Sequence, residues 1–266
     1  MAALFDALAP TYDMTGVPFF TPIAAGLVAA LDPRPGETLL DIGCGRGAVM
    51  LQAAPLAAPG AVTGIDISPL MIEQARSAAL AAGLGNVTAR VGSAVAPDVA
   101  PSSQNVVASS LVLFFLPDPV AALRAWLEVL TPGGRMGATT FAAQDHRWAE
   151  IDAVLLPYAP ANDARTSGAE GPFSSDAGVE TMLRAAGYTD VHTVPGSIDV
   201  DFDSPEQWLA FSMSTGQRAA WARVPEGERP TVRERALSRF RGFARPDGGA
   251  TFTQAVRHSL GSRPAA

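Results

Sequence analysis

Lysine is the most informative absence in this sequence. All 19 basic residues of the 266-residue chain are arginine, so Schiff-base chemistry and a lysine general base are both excluded. Cysteine is nearly absent as well. The single thiol, Cys44, has no partner within the chain with which to form a disulfide.

Clustered positive charge and long apolar runs are also scarce. The formal net charge is −7, and because nucleic-acid affinity is supplied largely by clustered cations, we expect no nucleic-acid partner. No apolar stretch approaches the roughly 18 uninterrupted residues of a membrane span, and the first residues lack a basic region, so we expect neither a membrane segment nor a signal peptide. These absences predict a cytoplasmic protein.

An apolar run that breaks into a glycine-rich turn is the strongest positive signal. Residues 39–47 read LLDIGCGRG, and a second apolar run, AVTGID, ends in Asp66 about one helix later. Glycine permits a sharp strand-to-helix turn and lets a ligand approach main-chain N–H groups, while a carboxylate at the second strand tip accepts hydrogen bonds from both ribose hydroxyls. The layout predicts a site for a cofactor that contains adenosine.

The same glycines also fit a dinucleotide site, because Gly43, Gly45 and Ala48 satisfy the G-x-G-x-x-G/A pattern. Asp41, directly before the turn, separates the two possibilities. A carboxylate beside a pyrophosphate is repelled at a cost of about 1 kcal/mol even in water, whereas it attracts an α-ammonium group. The sequence therefore favours a nucleoside that carries an amino acid.

Several segments resemble the class I S-adenosylmethionine (SAM)-dependent methyltransferases. LLDIGCGRG is similar to the first motif of that family, an acidic residue followed by G-x-G-x-G. GIDIS at 64–68 resembles the second motif, NVVASSLVLFFLPDP at 105–119 the fourth strand and its loop, and LTPGGRMGATTF at 130–141 the turn and fifth strand. The resemblance covers roughly residues 37–142 and implies SAM as cofactor.

The resemblance also implies which residues hold the cofactor. Tyr12 lies in the segment that the family folds over SAM, Ser93 follows the third strand where adenine binds, and the tip of the fourth strand packs the thioether side. At that tip Phe114 replaces a histidine common in the family. The expected cofactor residues are Tyr12, Asp41, Gly43, Gly45, Gly47, Asp66, Ile67, Ser93, Ala94, Ser109 and Leu111. We expect no metal.

Alternating strands and helices from residue 38 to about 142 predict an α/β fold with a doubly wound, seven-stranded, mostly parallel sheet of the Rossmann-like type. Helices are expected at 69–82, capped by Ser68, and at 118–130. Later in the chain, DVHTV and SIDVDF are strand-like, DHRWAEIDAVLLPYAP continues a helix, and ATFTQAVRHSL resembles the last, antiparallel strand of the family fold.

The pattern outside that core predicts added segments. We expect residues 1–37 to form an N-terminal helical lid over the cofactor cleft. Residues 38–266 are expected to form the SAM-binding core. Within that core, a C-terminal helical insertion at 204–250 and a segment at 143–187 are expected to cap the substrate side.

Two residues are candidates for a catalytic base. His146 follows the fifth strand, at the mouth where an acceptor meets the methyl group, and its imidazole can take a proton near neutral pH. A solvated histidine at a helix start is the alternative. Glu170, in the turn-rich stretch GAEGPF, is either a buried base or a solvated loop acid. An apolar pocket or ordinary core is expected around Trp148, Tyr158, Phe173, Trp208, Phe211 and Met213.

The leading interpretation is a SAM-dependent methyltransferase that acts on a small, mostly apolar molecule of specialised metabolism. Two alternatives in the same fold stay open. One is C-methylation of an isoprenoid diphosphate or alkene, and the other is a methyltransferase-like cyclase that retains SAM. An NAD-dependent oxidoreductase is the least favoured alternative. The apolar, aromatic N-terminal segment is compatible with a homo-oligomer.

Overall fold

The computed structural model describes residue 6 and residues 15–159, 171–215 and 217–265. Tyr12 and Glu170 lie outside the described residues. The strands are β1 (Leu39–Ile42), β2 (Val62–Asp66), β3 (Val87–Val91), β4 (Gln104–Ser110), β5 (Leu130–Gln144), β6 (Thr189–Phe202) and β7 (Ala250–Ser262). The described α-helices are α1 (Phe20–Leu31), α2 (Met50–Ala57), α3 (Pro69–Ala81), α4 (Pro119–Val129), α5 (His146–Asp152), α6 (Asp176–Ala186), α7 (Pro205–Ser214), α8 (Arg218–Trp221) and α9 (Arg229–Arg241).

These strands form one sheet in the order β3-β2-β1-β4-β5-β7-β6. Neighbours from β3 to β5 pair in parallel, whereas β7 pairs antiparallel with both β5 and β6. The predicted doubly wound, mostly parallel sheet and its antiparallel last strand are therefore confirmed. Because the strand order reverses between β1 and β4, their carboxyl ends form the crevice in which such sheets bind ligands.

Helices cover both faces of this sheet. The apolar sides of α1, α2 and α3 pack on one face and those of α4 and α6 on the other, so β1 is buried along its whole length. Two of these helices start where the sequence predicts. Ser68 caps α3 by accepting a hydrogen bond from the Met71 N–H at 3.2 Å, and Asp118 caps α4 in the same way.

The helix α1 corrects part of the lid predicted for residues 1–37. Leu27 and Leu31 pack so closely over Gly137 of β5 that a Cβ there would lie only 2.9 Å and 3.0 Å from them. The helix is therefore part of the core under the sheet. Asp6 does lie at the carboxyl edge, because its carboxylate accepts a hydrogen bond from the Ser68 hydroxyl at 2.5 Å.

Two predictions for the second half of the chain need correction. DVHTV and SIDVDF form one strand, β6, which pairs with β7 from Thr189 to Phe202. Pro195 is tolerated within it because β6 lies at the edge of the sheet. The helix predicted after Asp145 is α-helical only as far as Asp152, and residues 153–158 form a 3₁₀ turn.

The strands β5, β7 and β6 extend beyond the carboxyl edge of the sheet. The last residue of β4, Ser110, pairs with Thr139, yet β5 continues to Gln144. Helices α5, α7, α8 and α9 pack around these extensions in an aromatic-rich cluster that also includes Leu111 and Phe114 from the loop after β4. The added helices therefore lie at the carboxyl edge of the sheet, beside the loop after β4. No described helix is both long and apolar enough to cross a membrane.

Candidate cofactor and acceptor site

The glycine turn after β1 adopts backbone conformations that side chains disfavour. Gly43, Gly45 and Gly47 have φ angles of +71°, +52° and +100°. A Cβ on Gly43 would overlap Val112 in the loop after β4, whereas the position of a Cβ on Gly45 is open, with no atom within 4 Å. The turn is therefore packed tightly on one side and accessible at Gly45.

Asp66, at the end of β2, is linked directly to this turn. Its carboxylate accepts hydrogen bonds from the backbone N–H groups of Gly45 and Ser68, both at 2.9 Å. Burial raises the pKa of Asp66, and these two hydrogen bonds oppose that rise. The carboxylate is half-buried and retains acceptor capacity for ribose hydroxyls.

Asp41 lies deeper, with 1% of its surface exposed. The Met50 N–H, at the start of α2, donates to its carboxylate at 3.1 Å. Burial raises the pKa of Asp41 to about 7, and the nearby charge of Asp66 adds to the rise. A cation that reaches Asp41 would remove this electrostatic penalty, as expected for the ammonium group of an amino acid.

Exposed apolar side chains surround the other side of Asp66. Ile67, Val91 and Val95 are 43%, 51% and 44% exposed, although β-branched residues at strand ends are usually covered. The loop that carries Val95 is held by the Trp126 indole, which donates to the Ala94 carbonyl at 2.7 Å. The exposed side chains of Ile67, Val91 and Val95, which we call the apolar ledge, fit the faces of an adenine ring.

The tip of β4 closes the crevice. Leu111 has a φ angle of +60°, a conformation that is strained for leucine, and its N–H donates to the Thr139 carbonyl at 3.0 Å. Ser109, expected to contact SAM, is buried, and its hydroxyl donates to the Ile42 carbonyl at 2.9 Å. Its observed role is to tie β4 to the end of β1.

Sequence comparison places this geometry in a family. A profile of the methyltransferase domain matches residues 33–167. Nocamycin O-methyltransferase from Saccharothrix syringae is 35% identical over 242 residues, which cover 86% of both chains. This chain is a class I SAM-dependent methyltransferase. Its cofactor is SAM, and the open position at Gly45, the two carboxylates and the apolar ledge fit that molecule.

Other relatives agree with this family. Aklanonic acid methyltransferase DauC from Streptomyces sp. (strain C5) is 44% identical over 137 residues, or 51% of this methyltransferase and 62% of DauC. Among solved structures, YcgJ from Bacillus subtilis has a TM-score of 0.62 at 17% identity and covers 92% of this chain and 99% of its own. The [4+2]-cyclase SpnF has a TM-score of 0.55 at 20% identity, with 92% and 81% coverage. The two structures show the fold alone.

The structure brings most of the expected cofactor residues to the crevice of this methyltransferase. Asp41, Asp66, Ile67, Leu111 and the three glycines meet at the carboxyl ends of β1, β2 and β4. Ser93 lies on the exposed loop after β3, where its hydroxyl accepts a hydrogen bond from the Val95 N–H at 3.2 Å. Sequence reasoning did not single out Val91, Val95 and Trp126, although the exposed valines lie beside the predicted Ser93.

His146, the predicted general base, begins α5 on the surface. The His146 side chain is 84% exposed. Thr139 lies level with the tip of β4, and β5 continues for about 17 Å from Thr139 to Gln144. The neighbouring Asp145, 3.7 Å away, is already paired with Arg147. His258 is buried against the Thr139 hydroxyl at 2.9 Å, and burial lowers its pKa.

Aromatic rings line the side of the crevice that faces the cap. Phe114 stacks on Phe141 with ring centroids 5.5 Å apart and meets Phe173 edge-on at 6.2 Å. Phe141, Phe173 and Phe115 are only half-buried, so these rings form an incompletely covered apolar surface. We call the rings of Phe114, Phe115, Phe141 and Phe173 the phenylalanine wall. Trp148, Trp208 and Phe211 belong instead to the buried core of the cap.

Among the described residues, histidine, cysteine and carboxylate side chains form no cluster of three that could hold a metal ion. The loop after β4 contributes the apolar side chains of Leu111 and Phe114, while the buried Thr139 hydroxyl beside the tip of β4 is bonded to His258. Alignment of donor and acceptor and exclusion of water are therefore the chemical means that the described site offers.

Proposed function

We propose that this methyltransferase transfers a methyl group to an oxygen atom of a planar, mostly apolar small molecule. The observation that carries the proposal is the phenylalanine wall at the tips of β4 and β5. Half-covered rings favour a flat apolar partner, which stacks on them or meets them edge-on. The relative named as an O-methyltransferase supports oxygen as the accepting atom.

Each cofactor residue has a proposed role. Asp66 accepts hydrogen bonds from the ribose hydroxyls, Asp41 attracts the ammonium group, and Ile67, Val91 and Val95 pack on adenine. When bound, SAM supplies a methyl group on a sulfonium, which is already a strong electrophile. The chain therefore needs to position the acceptor and keep water out.

The acceptor supplies its own nucleophile in this proposal. No described residue on the phenylalanine wall is a base, and His146 is remote and exposed. An acidic phenol or enol that ionises near neutral pH needs no protein base, so correct alignment carries the reaction. Glu170 stays a second candidate base, outside the described residues.

A methyl-transfer assay tests the proposal. Purified enzyme is incubated with SAM and matched sets of planar acceptors that bear a hydroxyl, an amine or neither group, and the products are analysed by mass spectrometry. We expect methyl ethers from the acidic hydroxyl compounds. Methylation at carbon, or SAM binding without any methyl transfer, would contradict the proposal and favour the C-methylation or cyclase alternative.

We also propose that the enzyme acts in the cytoplasm, and its net charge of −7 supports free small molecules over nucleic acid as its substrates. A nucleic-acid substrate requires clustered cations to neutralise its phosphates. Binding of the enzyme to single- or double-stranded nucleic acid at low salt would contradict it.

A further inference from the structure

Arg257 of β7 joins three pieces of the acceptor side of the crevice. Its Nε donates to the carboxylate of Asp176, the first residue of α6, at 2.6 Å. One terminal nitrogen donates to the carbonyl oxygens of Phe141 and Phe173, and the other donates to the Ser174 carbonyl at 3.1 Å. The Arg257 side chain is only 10% exposed.

The carbonyl groups that Arg257 holds belong to the phenylalanine wall. Phe173 and Phe141 both pack on Phe114, at centroid distances of 6.2 Å and 5.5 Å. One guanidinium therefore fixes the backbone beneath two of the rings that contact the central one. Arginine suits this role because its planar fork presents several donors in fixed directions.

The loop that carries Phe173 leads into α6, where the Ser175 hydroxyl accepts a hydrogen bond from the Gly178 N–H at 3.1 Å, and Arg257 supplies the side-chain hydrogen bonds described at Phe173 and Ser174. Residues 171–175 belong to no helix or strand, and within them the Ser174 N–H donates to the Gly171 carbonyl at 2.9 Å. If the wall is ordered before the acceptor arrives, no free energy is spent on ordering it during binding, and the acceptor binds more tightly. Loss of the guanidinium would leave the position of this loop poorly defined.

We propose that Arg257 is a positioning residue of the acceptor subsite, which holds Phe173 and Phe141 around Phe114 so that a planar apolar acceptor meets a preformed wall. The inference rests on the proposed function and names the part of the chain that selects the acceptor class. Arg257 acts through the two phenylalanines and contacts neither substrate nor cofactor.

The chain offers a matched control in Arg263, just beyond the end of the same strand. Its guanidinium donates to the carbonyl oxygens of Leu127, Glu128 and Leu130. These groups lie where α4 meets β5, at the end of the sheet opposite the crevice. Arg263→Gln therefore removes a comparable set of arginine–carbonyl hydrogen bonds away from the acceptor subsite.

Equilibrium binding of 1-naphthol, a planar hydroxylated probe, tests the inference by calorimetry on enzyme saturated with S-adenosylhomocysteine. We expect Arg257→Gln to weaken probe binding about tenfold, as when only a tenth of the molecules hold the wall in place. Arg263→Gln should change it less than about twofold, and both variants should bind S-adenosylhomocysteine like wild type. Equal weakening in both variants, or none in Arg257→Gln, would overturn the inference.

The variant Phe173→Ala provides a second test that leaves the guanidinium in place. Because Arg257 acts partly through Phe173 and also holds Phe141, the double variant should lose less affinity for 1-naphthol than the sum of the two single losses. Fully additive losses would overturn the inference, as would wild-type enzyme that does not bind the probe. Normal probe behaviour with no methyl transfer to any hydroxylated acceptor would refute the proposed function alone.

Discussion

At the scale of single residues, ionisation and burial oppose each other at Asp41 and Asp66. In the proposed site both carboxylates are ionised when they attract the polar groups of SAM, yet both lie where burial raises the pKa. Groups with perturbed pKa values are common at functional sites for this reason. The types and spacing of Asp41 and Asp66 can be predicted from sequence because each follows a short apolar run. The degree of burial is not readable, since it depends on the whole sheet.

We expect Asp66→Ala to weaken SAM binding by at least about 100-fold, since hydrogen bonds to a charged group contribute about 1.5–3 kcal/mol each. The loss also removes the acceptor for the Gly45 N–H, which orders the turn. Calorimetry with SAM measures the effect, and Asp199→Ala on the exposed face of β6 is the control. An unchanged dissociation constant would refute the role of Asp66.

The pKa of Asp41 predicts a pH dependence with a definite sign. Without cofactor, the folded protein keeps a proton on Asp41 up to about pH 7, whereas the unfolded chain releases it near 3.8. The free energy of unfolding should therefore fall as the pH rises from about 4 to 7, by about 1.4 kcal/mol per unit of pKa difference. SAM affinity should rise over the same range and level off above it.

Denaturant unfolding and SAM titrations at several pH values check this expectation against Asp41→Asn. The amide is uncharged throughout, so the variant should lack this fall in stability and should equal or exceed the cofactor-free stability of wild type at pH 8. The variant should bind SAM more weakly than wild type, and its SAM affinity should lack the rise with pH that comes from the ionisation of Asp41. Parallel stability curves for the two proteins would exclude a raised pKa at Asp41.

His146→Ala should retain turnover within about tenfold of wild type, because removing a true general base lowers rates about 10²–10⁴-fold. The reason is the 84% exposure of the imidazole and its distance from the tip of β4. Initial rates with saturating SAM measure the effect. A 100-fold loss of turnover with normal SAM affinity would support His146 as the general base predicted from sequence.

At the scale of elements, the glycine turn allows the effect of backbone strain to be measured separately from the effect of contact with the cofactor. Gly45 and Gly83 both have positive φ angles, +52° and +67°, and open space where a Cβ would lie. Gly45→Ala and Gly83→Ala should therefore lower stability by similar amounts, about 1 kcal/mol. Only Gly45→Ala should weaken SAM binding, measured by titration, since Gly83 ends α3 away from the turn. Equal SAM affinities would show that the cofactor does not approach Gly45.

Elements with local signals were predicted well, and elements set by long-range packing were not. The start of α3 follows from Ser68 and Pro69 alone. In contrast, α1 is a core helix because Leu27 and Leu31 fit over Gly137, more than 100 residues away. The same holds for the candidate site, where the turn and Asp66 are local motifs but the contact of Arg257 with Phe173 depends on how β7 meets the loop before α6.

At the scale of the whole molecule, the cofactor should stabilise the entire fold. SAM contacts the ends of the three central strands in our proposal, so its binding is linked to global unfolding. A SAM concentration 100 times the dissociation constant should add about 2.7 kcal/mol and raise Tm. Differential scanning fluorimetry with SAM and with NAD compares the two cofactor classes, and stabilisation by NAD alone would contradict the assignment.

The part of the helical cap formed by α7, α8 and α9 is attached to the sheet in a way that favours exchange. It leaves β6 at Phe202 and returns to β7 at Ala250, and these two residues are paired neighbours in the sheet. Adjacent antiparallel strands lie only about 5 Å apart, so a replacement module needs no more than two closely spaced ends. A module grafted from a relative would replace these helices, while the SAM crevice and the phenylalanine wall would stay with the scaffold.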